Sequence, residues 1–387
     1  MLITPTVDPV AKIKVVGVGG AGGNTINKLV TEFGISGVDL LAFNTDAQVL
    51  KASQAHVTLQ LGSELTRGLG AGGDHLLGAQ AAEESLDEIH EHLAGSDMVF
   101  ITAGMGGGTG TGAAPVVAGV AKNLGALTIA VVTKPFNFEG KKRMQVAEEG
   151  IEALRDKVDT LIVVPNQRLL DLIDEPISFL DAMKKVDSVL AEGVKSIATL
   201  VTQAGFINVD FADVKTIMTN AGTALMGLGR AKGENRAEEA ARIATNNPLL
   251  DLSIEGATGV LFSITGGADL SMKEINTAAE MIENAVDPNA NIIFGASIDE
   301  SMNDEVSITI IATGFDSSKQ VLTNKARMQK QVDTKLTGNV NPAQTTSNDF
   351  VDRFTVTDDT PAASTASTSL QDDEDELEVP AFLRRKN

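Results

Sequence analysis

The sequence contains no cysteine, tryptophan or tyrosine, and its only aromatic residues besides histidine are 14 phenylalanines. Without cysteine, neither disulfides nor thiolate chemistry is possible, which suits a reducing compartment. Without tryptophan and tyrosine, the aromatic surfaces on which nucleic-acid bases stack are scarce. No apolar run approaches the roughly 20 residues of a membrane span, and the start shows no signal pattern. We therefore expect a cytoplasmic protein that does not insert into the membrane.

Basic residues are also few compared with acidic residues. The 31 Lys and Arg residues face 52 Asp and Glu residues, so the net charge is −21 and the pI is about 4.6. Such a surface repels nucleic acid and anionic lipid, so neither is expected as a primary partner. The length of 387 residues and the hydrophobic content of 43% are enough for a large core and for two or three domains.

In the first part of the chain, apolar strands alternate with helices. This alternation predicts an α/β fold with a doubly wound parallel sheet that is covered on both faces. The predicted strands are 12–19, 38–46, 97–104, 126–136 and 160–166, and the predicted helices are 24–32, 74–93, one from about 113, and 141–155.

A long central helix and a second unit are predicted next. Apolar residues at spacings of three and four predict the helix over about 178–203, broad enough to pack against two domains. The second unit is predicted as a smaller α/β domain with a mixed sheet. Its predicted helices are 213–221, 235–245 and 271–285, and its predicted strands are 224–233, 259–267, 291–299 and 306–315.

The C-terminal part changes character and completes the domain prediction. Thr, Ser, Asn and Asp dominate 316–371, which predicts a disordered linker. The end, "DDEDELEVPAFLRRKN", is either unstructured or, as its apolar patch favours, a docking peptide that folds on a partner. The predicted divisions are an arm 1–11, a nucleotide-binding domain 12–177, a central helix 178–204, a second domain 205–315, the linker 316–371 and the docking tail 372–387.

Two glycine-rich loops follow buried strands of the predicted sheet. "GVGGAGGN" (17–24) fits G-x-G-x-x-G, which alone indicates either a tight turn or a dinucleotide site with Asp39 or Asp46 on the ribose. "AGMGGGTGTGAAP" (103–115) is a second such loop, fixed between a strand and a helix and so not a linker. Bare backbone lets phosphate oxygens reach N–H groups at a helix start. Two loops therefore indicate a nucleotide with several phosphates.

The loops and further motifs resemble the FtsZ family, the bacterial cell-division branch of the tubulin-like GTPases. The matching segments cover about 12–315 and the last dozen residues. In order, they are "IKVVGVGGAGGN", "FNTDAQ", "GLGAGG", "AGMGGGTGTGAAP", "PFNFEGKKR", "VPNQRLL", "NVDFADV" and "PAFLRRK".

The resemblance implies that the first domain binds GTP or GDP. Asp187 is implied to read guanine, and Met183, one turn earlier, stands where the family usually has a Phe near the base. Glu139 and Arg143 are implied to contact the ribose side, with Asn166 close by. The other implied nucleotide-binding residues are Gly20, Ala21, Gly22, Gly23, Asn24, Asn44, Gly72, Gly104, Gly107, Gly108, Thr109 and Gly110.

Asp210 and Asp213 are the candidate catalytic acids, although Asp at a helix start also caps free N–H groups. The resemblance implies that they enter the nucleotide pocket of the next subunit and polarise the attacking water. Asn208 would help place that water, and Mg²⁺, bound mainly through the phosphates, would neutralise developing charge. Head-to-tail contact of this kind builds a filament, and hydrolysis would weaken its interfaces.

The tail is implied to dock on membrane-anchoring adaptors of the division machinery, which places the expected filament at the mid-cell ring. Phe382 and Leu383 would be the apolar anchors, with Arg384, Arg385 and Lys386 as a charged rim. The alternative functions are a nicotinamide-dependent oxidoreductase, a GTP-binding scaffold without hydrolysis, and a plasmid-partitioning relative of tubulin. The oxidoreductase leaves the second glycine loop and the tail unexplained.

Overall fold

The computed structural model describes residues 11–171, 178–202, 207, 209–246, 254–299 and 302–315. The strands are β1 Ile13–Val18, β2 Val38–Asn44, β3 Val57–Gln60, β4 Met98–Gly104, β5 Leu127–Lys134, β6 Thr160–Pro165, β7 Gly222–Lys232, β8 Gly259–Gly266, β9 Asn291–Ile298 and β10 Glu305–Thr313. The helices are α1 Gly19–Thr31, α2 Ala47–Lys51, α3 Ser63–Thr66, α4 His75–Glu84, α5 Leu86–Leu93, α6 Thr109–Asn123, α7 Lys141–Arg155, α8 Asn166–Asp171, α9 Phe179–Thr202, α10 Phe211–Met218, α11 Arg236–Thr245 and α12 Met272–Glu283, with a 3₁₀ turn at Asn137–Glu139.

The strands form one sheet in the order β3-β2-β1-β4-β5-β6-β7-β10-β8-β9. From β3 to β7 every pairing is parallel, whereas β10 runs antiparallel to both β7 and β8. The chain order reverses direction between β1 and β4, which is the switch point where doubly wound folds bind ligands. The two glycine-rich loops follow these two strands.

Both faces of the parallel part are covered, as the continuous apolar strands require. On β1, Val15 faces the core formed with α1 and α9, while its neighbour Val16 faces the core formed with α4 to α7. A third core lies between the strands of the second half and helices α11 and α12. The predicted fold class, with a mixed sheet in the second half, is confirmed.

Several predicted element bounds need correction. The first helix begins at Gly19 and not at Asn24, so the glycine loop is itself the first turn. The helix expected over 74–93 is two helices that meet at Ser85, whose hydroxyl accepts a hydrogen bond from Gly62 N at 3.1 Å. Helix α10 ends at Met218, three residues before the predicted end. Strand β3 and the short helices α2, α3 and α8 were missed.

The two halves of the sheet are joined where the sequence predicted separate sheets. β7 pairs with β6 in parallel over three residues, beginning with Thr160 beside Gly222, and then pairs with β10 over eight. Helix α9 has 24 residues and is therefore about 36 Å long. The predicted linker 316–371 and tail 372–387 lie outside the described residues, so their predictions stay untested.

Candidate functional site

Two helix N-termini lie side by side at the switch point of the sheet. Helix α1 starts directly after β1, and α6 starts after the four-residue loop that follows β4. A Cβ built on Gly19 would lie only 2.9 Å from Gly110 N, so the two helix starts touch. Neither helix has a side-chain cap or an acidic residue in its first turn. Free N–H groups and two positive dipole ends therefore meet in one place, which favours an anionic ligand.

The glycines of these loops fall into two kinds. Gly22 is required by packing, because a Cβ there would lie 2.4 Å from the carbonyl oxygen of Thr102 on β4. Gly20, Gly23 and Gly107 have no atom within 4 Å of a built Cβ, and none of them has a positive φ. Packing and backbone conformation therefore do not explain these three glycines, whereas the close approach of a ligand would.

The remaining predicted loop glycines hold the two loops against each other. A Cβ on Gly104 would lie 2.7 Å from Ala21 Cβ, and a Cβ on Gly110 would lie 2.7 Å from the Gly104 carbonyl oxygen. A Cβ on Gly108 would lie 2.9 Å from Ala71 Cβ in the loop between α3 and α4. The structure thus brings three loops together around the switch point.

The loop between α3 and α4 is tied to the end of β2. Gly70 N donates to the Thr45 carbonyl at 3.2 Å, and the hydroxyls of Thr45 and Thr109 lie 2.6 Å apart. Gly72 lies in this loop with a φ of 57° and open space around it. Asn44, the last residue of β2, is buried. Sequence reasoning missed Thr45, although it directly follows Asn44 in "FNTDAQ" and is a hydroxyl donor beside the second loop.

On the far side of the second loop lie the residues predicted for the ribose side. Glu139 accepts a hydrogen bond from Phe136 N at 2.8 Å and pairs with Arg143 at 3.1 Å. A Cβ on Gly106 would lie 2.7 Å from the Arg143 carbonyl oxygen, which places the start of α7 against the loop. Asn166, the first residue of α8, is 7% exposed, and its side-chain oxygen has no hydrogen-bond partner among the described residues. A buried amide oxygen without a partner is expected to meet a ligand or water.

The predicted base-reading residue lies where α9 packs against α1. The half-buried Asp187 accepts a side-chain hydrogen bond from Asn24. Burial raises the pKa of Asp187 from 3.8 to about 6, although the positive charge of Lys28 and the Asn24 bond act to lower this pKa. Met183, one turn earlier, is half-buried and packs against the core. The Asp187 carboxylate therefore lies beside the first glycine loop.

Asp210 and Asp213 are both exposed. Asp210 stands at the N-cap position of α10, but its side chain makes no capping hydrogen bond. Within the described residues, neither carboxylate has a hydrogen bond or ion pair shown by the structure. Helix capping therefore does not account for Asp210. Asn208 lies outside the described residues, as do Phe382, Leu383, Arg384, Arg385 and Lys386 of the tail.

The segment between the end of α9 and the end of α10, which carries the candidate acids, is fixed at the edge of the sheet opposite the glycine loops. Helix α9 ends at Thr202. A Cβ built on Gly37, the residue just before β2, would lie 3.2 Å from the Thr202 Cβ. Helix α10 ends at Met218, whose carbonyl accepts from Thr160 Oγ1, at the start of β6, at 2.5 Å. Both ends of this segment are thus fixed at the amino-terminal edge of the parallel strands. The 7 residues of β4 separate the two edges by about 23 Å.

In the part of the chain that the structure describes, no helix is long and apolar enough to cross a membrane.

Comparisons with known proteins identify two domains. The model of the "Tubulin/FtsZ family, GTPase domain" matches residues 12–174, and that of the "FtsZ family, C-terminal domain" matches 222–316. An empty FtsZ dimer from M. jannaschii is 50% identical, with a TM-score of 0.76, over 79% of this chain and 88% of that one. A mutant FtsZ from the same organism is 49% identical, with a TM-score of 0.77, over 79% and 92%. A GTPγS-bound CetZ2 protofilament from Haloferax volcanii matches 84% of this chain and 100% of that one with a TM-score of 0.67, but at 23% identity it shows the fold alone.

Proposed function

Because the chain belongs to the FtsZ family of tubulin-like GTPases, we propose that it forms head-to-tail filaments whose GTP-hydrolysing sites are shared between adjacent subunits. As a member of this family, the protein is a GTPase of the cell-division cytoskeleton.

The phosphates would lie against the paired starts of α1 and α6. Both starts offer backbone N–H groups, and Gly20, Gly23 and Gly107 leave room for the phosphate oxygens. Glu139 and Arg143 would contact the ribose. Since the chain has no Walker A lysine in these loops, backbone dipoles supply most of the protein's positive potential near the phosphates. Mg²⁺, held mainly by phosphate oxygens, would add positive charge there.

Asp187 would select guanine over adenine. An ionised carboxylate accepts hydrogen bonds from guanine N1–H and from the exocyclic amine, and adenine has neither donor in that place. Each charge-assisted bond contributes about 1.5–3 kcal/mol. With a pKa of about 6, Asp187 is mostly ionised at neutral pH and can make these bonds. Asn24, which already donates to Asp187, would fix the direction of the carboxylate.

The position of Asp210 and Asp213 carries the proposal of a shared site. The segment that carries these carboxylates is fixed at both ends to the edge of the sheet opposite the phosphate loops, and the length of β4 separates the two edges by about 23 Å. The carboxylates therefore cannot reach a γ-phosphate held by their own chain. In a second chain stacked head-to-tail, the same edge would cover the nucleotide. There the two carboxylates would polarise the attacking water, and Asn208 would help place it.

A head-to-tail contact is heterologous and need not close, so it generates a filament. The FtsZ dimer among the similar structures supports self-association of this chain. Loss of the γ-phosphate would change the charge buried at each interface, so hydrolysis would promote filament turnover.

The tail would recruit the filament to the division site. Phe382 and Leu383 would occupy an apolar groove of a membrane-anchoring adaptor, and the basic residues 384–386 would contact its acidic rim. The similar FtsZ structures come from an archaeon, so the bacterial setting that the sequence suggested stays a prediction.

The strand order 3-2-1-4-5-6 of the first six strands is also that of dinucleotide-binding domains. Topology alone therefore leaves the oxidoreductase alternative open. The second glycine loop and the match to the GTPase domain decide against it.

The proposal is tested by measuring phosphate release from GTP over a range of protein concentrations, together with pelleting of polymer. We expect hydrolysis to appear only above a threshold concentration, and Asp213→Ala to polymerise yet barely hydrolyse. Glu238→Ala is the matched control, because Glu238 is also an exposed carboxylate in a first helical turn. Turnover per molecule that does not depend on concentration would rule out the shared site.

A mixing experiment tests the same point without relying on the threshold. Asp213→Ala retains the nucleotide loops, and a variant that cannot bind nucleotide retains the carboxylates. Each variant should be inactive alone, and the mixture should regain hydrolysis, since a competent site needs one half from each chain. No recovery in a mixture that co-pellets would contradict the proposal.

A further inference from the structure

Lys28 occupies an unusual place between α1 and α9. It follows Asn24 by four residues and precedes Glu32 by four, so the three side chains share one face of α1. The Lys28 side chain is only 13% exposed, whereas that of Glu32 is 56% exposed. A lysine buried to this degree needs partners for its three donors.

Lys28 has two hydrogen-bond acceptors and one ion-pair partner, and both acceptors lie on α9. The ammonium donates to the Lys184 carbonyl at 2.8 Å and to Ser188 Oγ at 2.6 Å, and it lies 3.5 Å from Glu32. Ser188 Oγ in turn donates to the Lys184 carbonyl at 2.9 Å. Lys28 is thus fixed to the single turn of α9 that also carries Asp187.

Interaction with the C-terminal end of its own helix does not account for the position of the Lys28 side chain. A lysine in the last turn of a helix commonly interacts with the carbonyls at that helix's own end. Here the hydrogen bonds of Lys28 to carbonyl and hydroxyl groups cross to a different helix. The lysine therefore acts on α9 and not mainly on its own helix.

We propose that Lys28 is the positioning residue of guanine recognition: it ties α1 to α9 and keeps the carboxylate of Asp187 charged and in place. It would act through Asp187 without touching the nucleotide. This inference rests on the proposed function, because it assumes that Asp187 reads the base.

The charges around Asp187 explain why a positioning lysine matters. Burial of Asp187 favours its neutral form, Lys28 acts in the opposite direction, and the nearby Glu32 acts in the same direction as burial, so that the pKa is raised to about 6. β5 and α8 also pack against α9, and their ionisable residues are Lys134, Arg168 and Asp171. A neutral carboxyl would lose the charge-assisted bonds to guanine, so removing Lys28 should weaken binding most where Asp187 titrates.

The test measures binding of GDP to the full chain by calorimetry at pH 6 and at pH 8.5, for the wild type and for Lys28→Met. If the substitution raises the Asp187 pKa by about one unit, binding becomes about fivefold weaker at pH 6 and stays nearly unchanged at pH 8.5. A purely structural role would lower affinity by the same factor at both values. An equal loss at the two pH values, or no loss, would overturn the proposal.

Three further variants make the test specific. Lys28→Arg should restore the wild-type profile, because it keeps the charge. Glu32→Gln should shift the pH midpoint of binding downward, opposite to Lys28→Met, because it removes a negative charge near Asp187. In an Asp187→Asn background, Lys28→Met should no longer change the pH dependence. Failure of the wild type to bind GDP would instead refute the proposed function, so the two failures are distinguishable.

Discussion

Gly20 and Gly22 of the first loop give a direct test of whether its glycines are required by packing or leave room for a ligand. A Cβ on Gly20 would meet nothing within 4 Å, and its φ is not positive. A Cβ on Gly22 would lie 2.4 Å from the carbonyl oxygen of Thr102, which is backbone and cannot rotate away. The substitutions Gly20→Ala and Gly22→Ala add the same methyl group two residues apart in the same helical turn. They should therefore have opposite effects on stability.

The expected magnitudes follow from these surroundings. At a compatible site, Gly→Ala stabilises a protein by about 0.4–1 kcal/mol, chiefly by restricting the unfolded chain. Overpacking against β4 should cost Gly22→Ala about 1–3 kcal/mol, because α1 must move away from the sheet. Urea denaturation of nucleotide-free protein should thus place the free energies of unfolding of the two variants about 1.4–4 kcal/mol apart.

Nucleotide binding provides the second half of this prediction. The methyl group of Gly20→Ala would occupy space that phosphate oxygens need, and losing one charge-assisted bond corresponds to about 10- to 100-fold weaker GDP binding. The variant should thus be at least as stable as the wild type and yet bind poorly. Wild-type affinity for GDP, or a clear loss of stability, would refute the argument that Gly20 leaves room for a ligand.

Three further outcomes are expected. Arg236 is 4% exposed and donates to Asp269 at 2.6 Å and to Glu274 at 2.7 Å, so Arg236→Met should lower the free energy of unfolding by about 1.5–3 kcal/mol in urea, with GDP binding unchanged. The Arg236 hydrogen bond lowers the pKa of Glu274 from 4.5 to about 2, so its contribution is complete above pH 4.5 and is lost as the pH falls toward 2. Stability curves of Glu274→Gln against pH should lack this acid-dependent loss. Thr45→Val removes the 2.6 Å bond to Thr109 and should weaken GTP binding several-fold with little change in melting temperature.

Local patterns predicted the strands and glycine-rich loops at the switch point of the sheet. The runs around Val15 and Phe100 are apolar and end in glycine, so both strands and both loops could be placed from the sequence. The exact helix starts could not, because glycine is a poor helix former and Gly19 gives no capping signal. The break at Ser85 was missed for a related reason: it depends on a hydrogen bond with Gly62, 23 residues away.

The sequence did not predict which strands pair when they are far apart in the chain. Nothing in "GTALMGLGRAK" indicates that three residues of β7 pair with β6 while eight pair with β10, since pairing partners are set by the whole fold. In the site, Asp187 was named through the family resemblance. Lys28 was missed, although its spacing of four from Asn24 on a predicted helix could have drawn attention to it.

Because the phosphate loops are separated from Asp210 and Asp213, the number of complete sites would depend on the length of the filament. Under the shared-site proposal, a row of n chains contains only n − 1 complete sites, because one end presents uncovered loops and the other presents carboxylates with nothing to act on. The rate per chain would therefore rise with length, steeply for the shortest rows and then toward a plateau. The nucleotide on the uncovered end would outlast all others, so each row would carry a marker of its own polarity.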